Sequence, residues 1–183
     1  MDSEGFKIVC SKGNICLERS NNVSHLFRIS FDAQCQVNLL RESGIEHFYK
    51  LLWQLNPDII KEVFCCKTGT HEHQVAILFE SFAEDFGMTP KRMTLDLEER
   101  RAVLCDCETV VYTGRSPSTS SEYDDTTLIC KVSTFQIIQS HTGNARVQYK
   151  FHLDIRENVP IFMENVGGLI MKKIFLRLKQ YLE

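Results

Sequence analysis

The sequence predicts an α+β fold, with an antiparallel sheet of about six or seven strands and one long C-terminal helix lying on it. Three observations carry that expectation. Apolar and polar residues alternate through much of the chain, most cleanly where Val147, Tyr149, Phe151, Leu153 and Ile155 oppose Arg146, Gln148, Lys150, His152 and Asp154. That is the period of a strand with one dry and one wet face, as in antiparallel sheets. The period then changes: at about 100° per residue, Met163, Gly167, Ile170, Met171, Ile174, Phe175, Leu178, Tyr181 and Leu182 share one broad arc behind Pro160, a residue suited to opening a helix. Finally, helical signals lie between the first confident strand and the remaining ones.

The elements follow in chain order. Residues 1–22 form an N-terminal arm or a small hairpin, with Phe6 to Cys10 and Ile15 to Leu17 on either side of Gly13-Asn14. A domain over 23–183 begins with the alternation of Phe27, Ile29 and Phe31. Ser43 and Glu46 make a capping box that starts a helix bearing Ile45, Phe48, Leu52 and Leu55 on one face. Pro57 ends it and opens a second short helix from Asp58 to Val63, so that two helices meet at an elbow. Val75, Ile77 and Phe79 pair as a hairpin with Met93, Leu95 and Leu97 around a turn at Phe86 to Pro90, and Arg101 to Tyr112 is a further strand. A polar loop over 114–122 joins it to a strand through Leu128, Cys130 and Val132, which continues through Phe135 and Ile137. A turn at His141 to Asn144 leads into the last strand.

Composition bounds the function. The 183 residues suit one domain at roughly 150 residues each, and 43% hydrophobic with 25% charged residues is ordinary for a globular chain. Lys and Arg number 21 against 24 Asp and Glu, a net charge of −3 that provides no basic field for nucleic acid. Apolar runs such as Val75 to Phe79 and Val166 to Met171 fall far short of the roughly 20 residues a membrane helix needs. The opening Met1-Asp2-Ser3-Glu4 is acidic and lacks the apolar core of a secretory signal, so a cytoplasmic or nuclear protein is expected. In that compartment most of the eight cysteines are expected to be reduced thiols, and the sequon Asn22-Val23-Ser24 to be a chance match.

The order of strand, helical elbow, antiparallel run and closing helix resembles the START-like helix-grip superfamily. The resemblance is carried by the final strand Ala145 to Ile155 and the ending Gly167 to Glu183, which closes on Leu178-Lys179-Gln180-Tyr181-Leu182-Glu183. It covers roughly 23–183. Gln74 to Glu80, through the Pro90-Lys91 turn, is also loosely similar to the sterol-binding VASt branch, although the sequence has neither the GRAM-type domain nor the transmembrane segment common there. The resemblance implies a curved sheet gripping the long helix, with a cavity between them for a hydrophobic ligand. The candidate ligand-binding residues are Phe31, Ile77, Phe79, Leu95, Tyr149, Phe151, Met163, Gly167, Ile170, Met171 and Ile174. Methionines adapt to irregular shapes, and Gly167 leaves room for a close approach. Against this stands a plain alternative, that these side chains fill one another's space as a solid core.

Catalytic and metal motifs are absent. His71-Glu72-His73 places its histidines two apart, where a zinc-protease helix needs four, and Cys65-Cys66 beside them matches no common zinc framework. Cys105 and Cys107 are expected to pack in the core. No glycine-flanked nucleophile, phosphate loop or dinucleotide fingerprint occurs, and no cofactor is implied. Relatives with cyclase or aromatase activity leave His25, His152 and Tyr149 as acid–base candidates, with His152 facing outward by strand parity. Lys172, Lys173, Arg177 and Lys179 form a basic flank on the last helix, either a solvated face or a transient contact with a membrane surface. The expected function is binding of a lipid or hydrophobic small molecule as carrier or sensor. The alternative is a protein-interaction module on a filled helix-grip scaffold.

Overall fold

The computed structural model describes residues 5–33, 37–80, 90–104, 107–117, 126–140, 144–154 and 161–183. Its elements are β1 (Phe6–Lys12), β2 (Ile15–Ser20), β3 (Leu26–Ala33), α1 (Val37–Leu55), β4 (Ile60–Lys67), β5 (Glu72–Phe79), β6 (Lys91–Leu104), β7 (Cys107–Arg115), β8 (Ile129–Ser140), β9 (Ala145–Asp154) and α2 (Ile161–Leu182). The strands make one nine-stranded sheet in the order β1-β2-β3-β9-β8-β7-β6-β5-β4. The expected sheet of six or seven strands was too small, because the N-terminal hairpin and β4 both belong to it. Ile155, Pro160, the Phe86 to Thr89 and His141 to Gly143 turn residues, Cys35, Cys105 and most of the serine-rich loop lie outside the described residues.

The topology follows from local signals. Gly13 and Asn14 have φ of 70° and 54°, both in the left-handed region that a two-residue hairpin turn requires. That turn sets the register Lys12↔Ile15, and β2 continues the sheet by pairing Leu17 with Ile29 of β3. α1 then carries the chain to the opposite edge, where β4 lies, and the chain returns by antiparallel steps until β9 pairs with β3 as Tyr149↔Ile29. The expected hairpin of 75–79 with 93–97 forms with Val75↔Leu95 and Ile77↔Met93. β9 alternates buried and half-buried residues from Val147 to Asp154, as its sequence pattern requires.

Other expectations need correction. The elbow is at Gly44, whose φ of 74° and ψ of 179° interrupt α1, a backbone region open essentially to glycine alone. Glu46 therefore sits in the first turn after the break and accepts a bond from Lys50 Nζ at 2.6 Å. No helix follows Pro57; the segment expected as the second helix begins β4, paired to β5 as Val63↔Ile77. The strand expected over Arg101 to Tyr112 is two strands, since β6 runs on to Leu104 and β7 starts at Cys107. In β8 a bulge between Cys130 and Val132 turns Val132 outward and brings Ser133 into the core.

The core lies between one face of the sheet and the two helices. α2 packs on β2, β3 and α1, and α1 packs on β4 and β8. An aromatic row runs through it: Phe48 stacks on Phe135 at 4.1 Å between centroids, Phe175 on Tyr149 at 4.8 Å, Tyr149 on Phe151 at 5.2 Å and Phe151 on Phe27 at 5.5 Å. Such pairs contribute about 0.5–1.5 kcal/mol each beyond the area they bury.

Candidate functional site

The space between sheet and α2, where the candidate ligand residues were placed, is nearly filled. A cavity of about 20 Å³ remains, walled by Phe48, Tyr49 and Leu52 of α1, Ile60, Ile77, Phe79, Met93 and Tyr149 of the sheet, and Met171, Ile174 and Phe175 of α2. Of the candidates from sequence, Ile77, Phe79, Tyr149, Met171 and Ile174 therefore meet around one point. Phe31, Leu95 and Phe151 are buried in the same core but away from that cavity, and Ile170 packs half-buried against the core's edge. Met163 falls in α2, and its side chain is not among those described.

No described part of the chain comes close to Gly167. A Cβ there would meet nothing within 4 Å, whereas one at Gly168 would lie 2.9 Å from Phe27 Cε1 and 3.3 Å from Leu17 Cδ2. Gly168 is where α2 comes down onto β2 and β3. The arc at about 100° per residue is thus rotated from the expected one, with Tyr181 exposed and both Lys172 and Lys179 buried.

That rotation dissolves the expected basic flank. Lys172 and Lys179 are 7% and 4% exposed, while Lys173 and Arg177 both bind Asp58, Lys173 Nζ at 2.9 Å and Arg177 Nη2 at 3.0 Å. The two cations hold the Asp58 carboxyl well below the usual carboxylate range. Arg177 Nη1 also reaches the Asn56 side-chain oxygen at 3.2 Å and the Leu55 carbonyl at 3.4 Å. These contacts tie α2 to the end of α1, so the four cations do not share one exposed face.

A hydroxyl cluster lies within the apolar interior. Ser133 Oγ and the Tyr149 hydroxyl are 3.2 Å apart, and the Tyr49 hydroxyl lies beside Ser133. Burial pushes both tyrosine hydroxyls well above the ordinary phenol value, so they remain protonated at neutral pH. They can offer or accept a hydrogen bond but do not exchange protons as a base would. The other two acid–base candidates lie elsewhere. His25, with φ of 58°, places Nδ1 2.9 Å from Glu164 Oε1, and Arg19 Nη1 is 3.0 Å from Glu164 Oε2. This group anchors the first turn of α2, where the helix dipole favours an acidic residue. His152 is half-buried on β9, and burial followed by the nearby Lys131 lowers its affinity for a proton. The three candidates do not converge on a reacting position.

A larger space lies elsewhere, a surface cleft of about 640 Å³ lined by Asp32, Arg146, Lys179 and Glu183 among others.

Sequence reasoning left Phe48, Tyr49, Leu52, Ile60, Met93 and Phe175 out of the site. Phe48 and Leu52 share the apolar helix stripe, Met93 shares strand parity with Leu95, and Phe175 lies on the α2 arc, so each carried a signal. Ile60 carried none, because its segment reads as helix.

Solved structures supply the comparison that decides the fold. The lipid transfer and protein localization domain of human StarD13 superposes with a TM-score of 0.72, covering 98% of this chain and 90% of that one at 13% identity. The chain has the START-like helix-grip fold. Human StAR-related lipid transfer protein 5 likewise gives a TM-score of 0.72, over 99% of this chain and 88% of its own at 10% identity. A STAR-related lipid transfer protein from Xanthomonas axonopodis gives 0.66, over 97% and 98% at 11% identity. At such identities the START-like likeness is one of fold alone. No protein-family model matches the sequence, and no curated protein matches it either.

Proposed function

We propose that this START-like chain binds a lipid or another hydrophobic small molecule between its sheet and α2, as a carrier or sensor. The observation that carries the proposal is the apolar wall of the interior, drawn from α1, α2 and four strands with a hydroxyl cluster beside it, in a fold shared with proteins named for lipid transfer. Methionines at 93 and 171 can reshape that wall at low cost. The about 20 Å³ present has room for one water, whereas drug-sized ligands occupy roughly 300–1,000 Å³. On this reading the interior is in a closed form, and a ligand enters by parting α1 from α2. Burial of the ligand at about 25 cal/mol per Å² of apolar surface drives the exchange against the contacts it displaces. The Tyr49, Ser133 and Tyr149 hydroxyls favour a ligand with one hydroxyl or carbonyl on an otherwise apolar body.

The small volume also supports a second reading, a protein-interaction module on a filled scaffold. Both edge strands carry an exposed apolar side chain, Ile8 on β1 at 60% and Phe64 on β4 at 59%, and sheet edges pair readily with other chains. One titration separates the two. Trp53, the chain's only tryptophan, is half-buried on α1 beside the core, so ligand entry between the helices should change its emission. A saturable change with a sterol, fatty acid or phospholipid at about one equivalent is expected. No change with any of them abandons the ligand reading for the filled scaffold.

A further inference from the structure

The buried charges of α2 are all engaged outside the cavity: Lys172 at the Cys10 carbonyl and thiol, Lys179 at Glu183, and Glu164 at Arg19. Among the described residues the cavity wall carries no Lys, Arg, His, Asp or Glu. Its polar side chains there are Tyr49 and Tyr149, and Ser133, 0% exposed, stands beside both hydroxyls.

A local irregularity puts Ser133 in that place. A strand alternating regularly from Cys130 would bury Val132 and turn Ser133 outward. The bulge between Cys130 and Val132 instead pairs Ser133 with Phe151 on the inner face and leaves Val132 36% exposed. Two bonds pin the bulge, one from Cys130 N to Ser116 Oγ at 2.9 Å and one from the Cys130 thiol to the Val132 carbonyl at 3.1 Å. Stability alone favours the valine inside, since a buried hydroxyl gives up water for a modest bond. Bulges that re-aim a side chain in this way are over-represented next to functional sites. The bond that Ser133 gains is also loose: its Oγ lies 3.2 Å from the Tyr149 hydroxyl, against about 2.7–2.8 Å for a typical bond between hydroxyls. Such a pair yields readily to a third oxygen.

We propose that the interior selects an uncharged ligand, an apolar body ending in one hydroxyl or carbonyl oxygen, and rejects anionic head groups, with Ser133 as the positioning residue that aims the Tyr49 and Tyr149 hydroxyls at that oxygen. This rests on the reading of the interior as a ligand site and narrows it to one chemical class. Three hydroxyls carry three donor protons; the Ser133–Tyr149 bond uses one, and an incoming oxygen takes another. A carboxylate or phosphate would be buried opposite donors but no cation, and it loses far more hydration than neutral hydroxyls return.

The test is binding to the full chain at pH 7 of two probe series, each with one apolar body and a varied end, followed by Trp53 emission. One series is dodecane, dodecan-1-ol, dodecanoate and dodecyl phosphate; the other is cholestane, cholesterol and cholesterol sulfate. In a series that binds, the alcohol is expected to bind at least about tenfold tighter than its anions. Ser133→Ala should weaken the alcohol about fivefold and leave the bare hydrocarbon unchanged, a difference that a merely loosened core does not produce. An anion bound as tightly as its alcohol overturns the selectivity and leaves the ligand reading standing, whereas no binding by any member of either series overturns both. Equal losses for alcohol and hydrocarbon in Ser133→Ala remove Ser133 from its role. The comparison of alcohol with anion uses the wild-type chain and stands even if the variant misfolds.

Discussion

Gly167 and Gly168 are chemically identical neighbours with opposite surroundings, open space at one and the Phe27 ring at the other. Alanine at Gly168 must push a ring that is already stacked on Phe151, and overpacking of this kind costs about 1–3 kcal/mol. Against this, replacing a helical glycine gains about 1 kcal/mol of propensity. Gly168→Ala is therefore expected to lose about 1 kcal/mol net, and Gly167→Ala to gain up to about 1 kcal/mol, as read by urea unfolding. Equal effects would mean that α2 is seated differently. The sequence could not distinguish these glycines, because one residue is about 100° of rotation and the apolar arc is broad enough to tolerate the error. The same rotation hid Lys172 and Lys179, whose long stems bury as readily as apolar chains when the head finds a partner.

At the scale of elements, alternation placed β3, β5 and β9 correctly and was misread in β4, which bulges, and across the β6–β7 boundary, where no register shift occurs. In β4 the register shift between Ile60 and Glu62 leaves Ile60 and Val63 buried three residues apart, a helical spacing that follows a proline and mimics a helix start. The shift in β8 does the same with Cys130 and Ser133. The charged run Glu98 to Arg101 looks like a strand end, yet β6 continues through it because the charges pair two apart, Arg100 with Glu98 and Arg101 with Glu99. Asp58 joins two elements, and its effect can be measured. Its carboxyl is depressed in the folded chain, so its stabilising contribution is complete above the unfolded value of roughly 3.9 and is lost as pH falls below it. The side chain is 47% exposed, and screening limits the contribution to about 1 kcal/mol or less. Asp58→Asn should thus unfold at slightly lower urea than wild type at pH 7, with the gap closing below about pH 4. A gap that persists or widens in acid would contradict the assignment.

For the whole molecule, the sequence conveyed the fold class and the long closing helix, while strand order was out of its reach. Alternation fixes which face a residue takes but not which strand lies beside it, so the pairing of β9 with β3 and the placing of β4 at the far edge emerge only from the assembled sheet. The site was legible in part for a related reason. Its strand and α2 walls follow from parity, but the contribution of Phe48, Tyr49 and Leu52 depends on the elbow at Gly44 that swings α1 over the sheet. Volume was not legible at all, since an apolar stripe reads the same whether it faces a ligand or another side chain. The central claim is that this closed interior opens for a hydrophobic ligand. Native mass spectrometry of the purified protein, before and after challenge with sterols, fatty acids and phospholipids and followed by solvent extraction, tests it most directly. The account predicts a discrete added mass that matches one extracted compound, and a clean ligand-free mass unshifted by every challenge would contradict it.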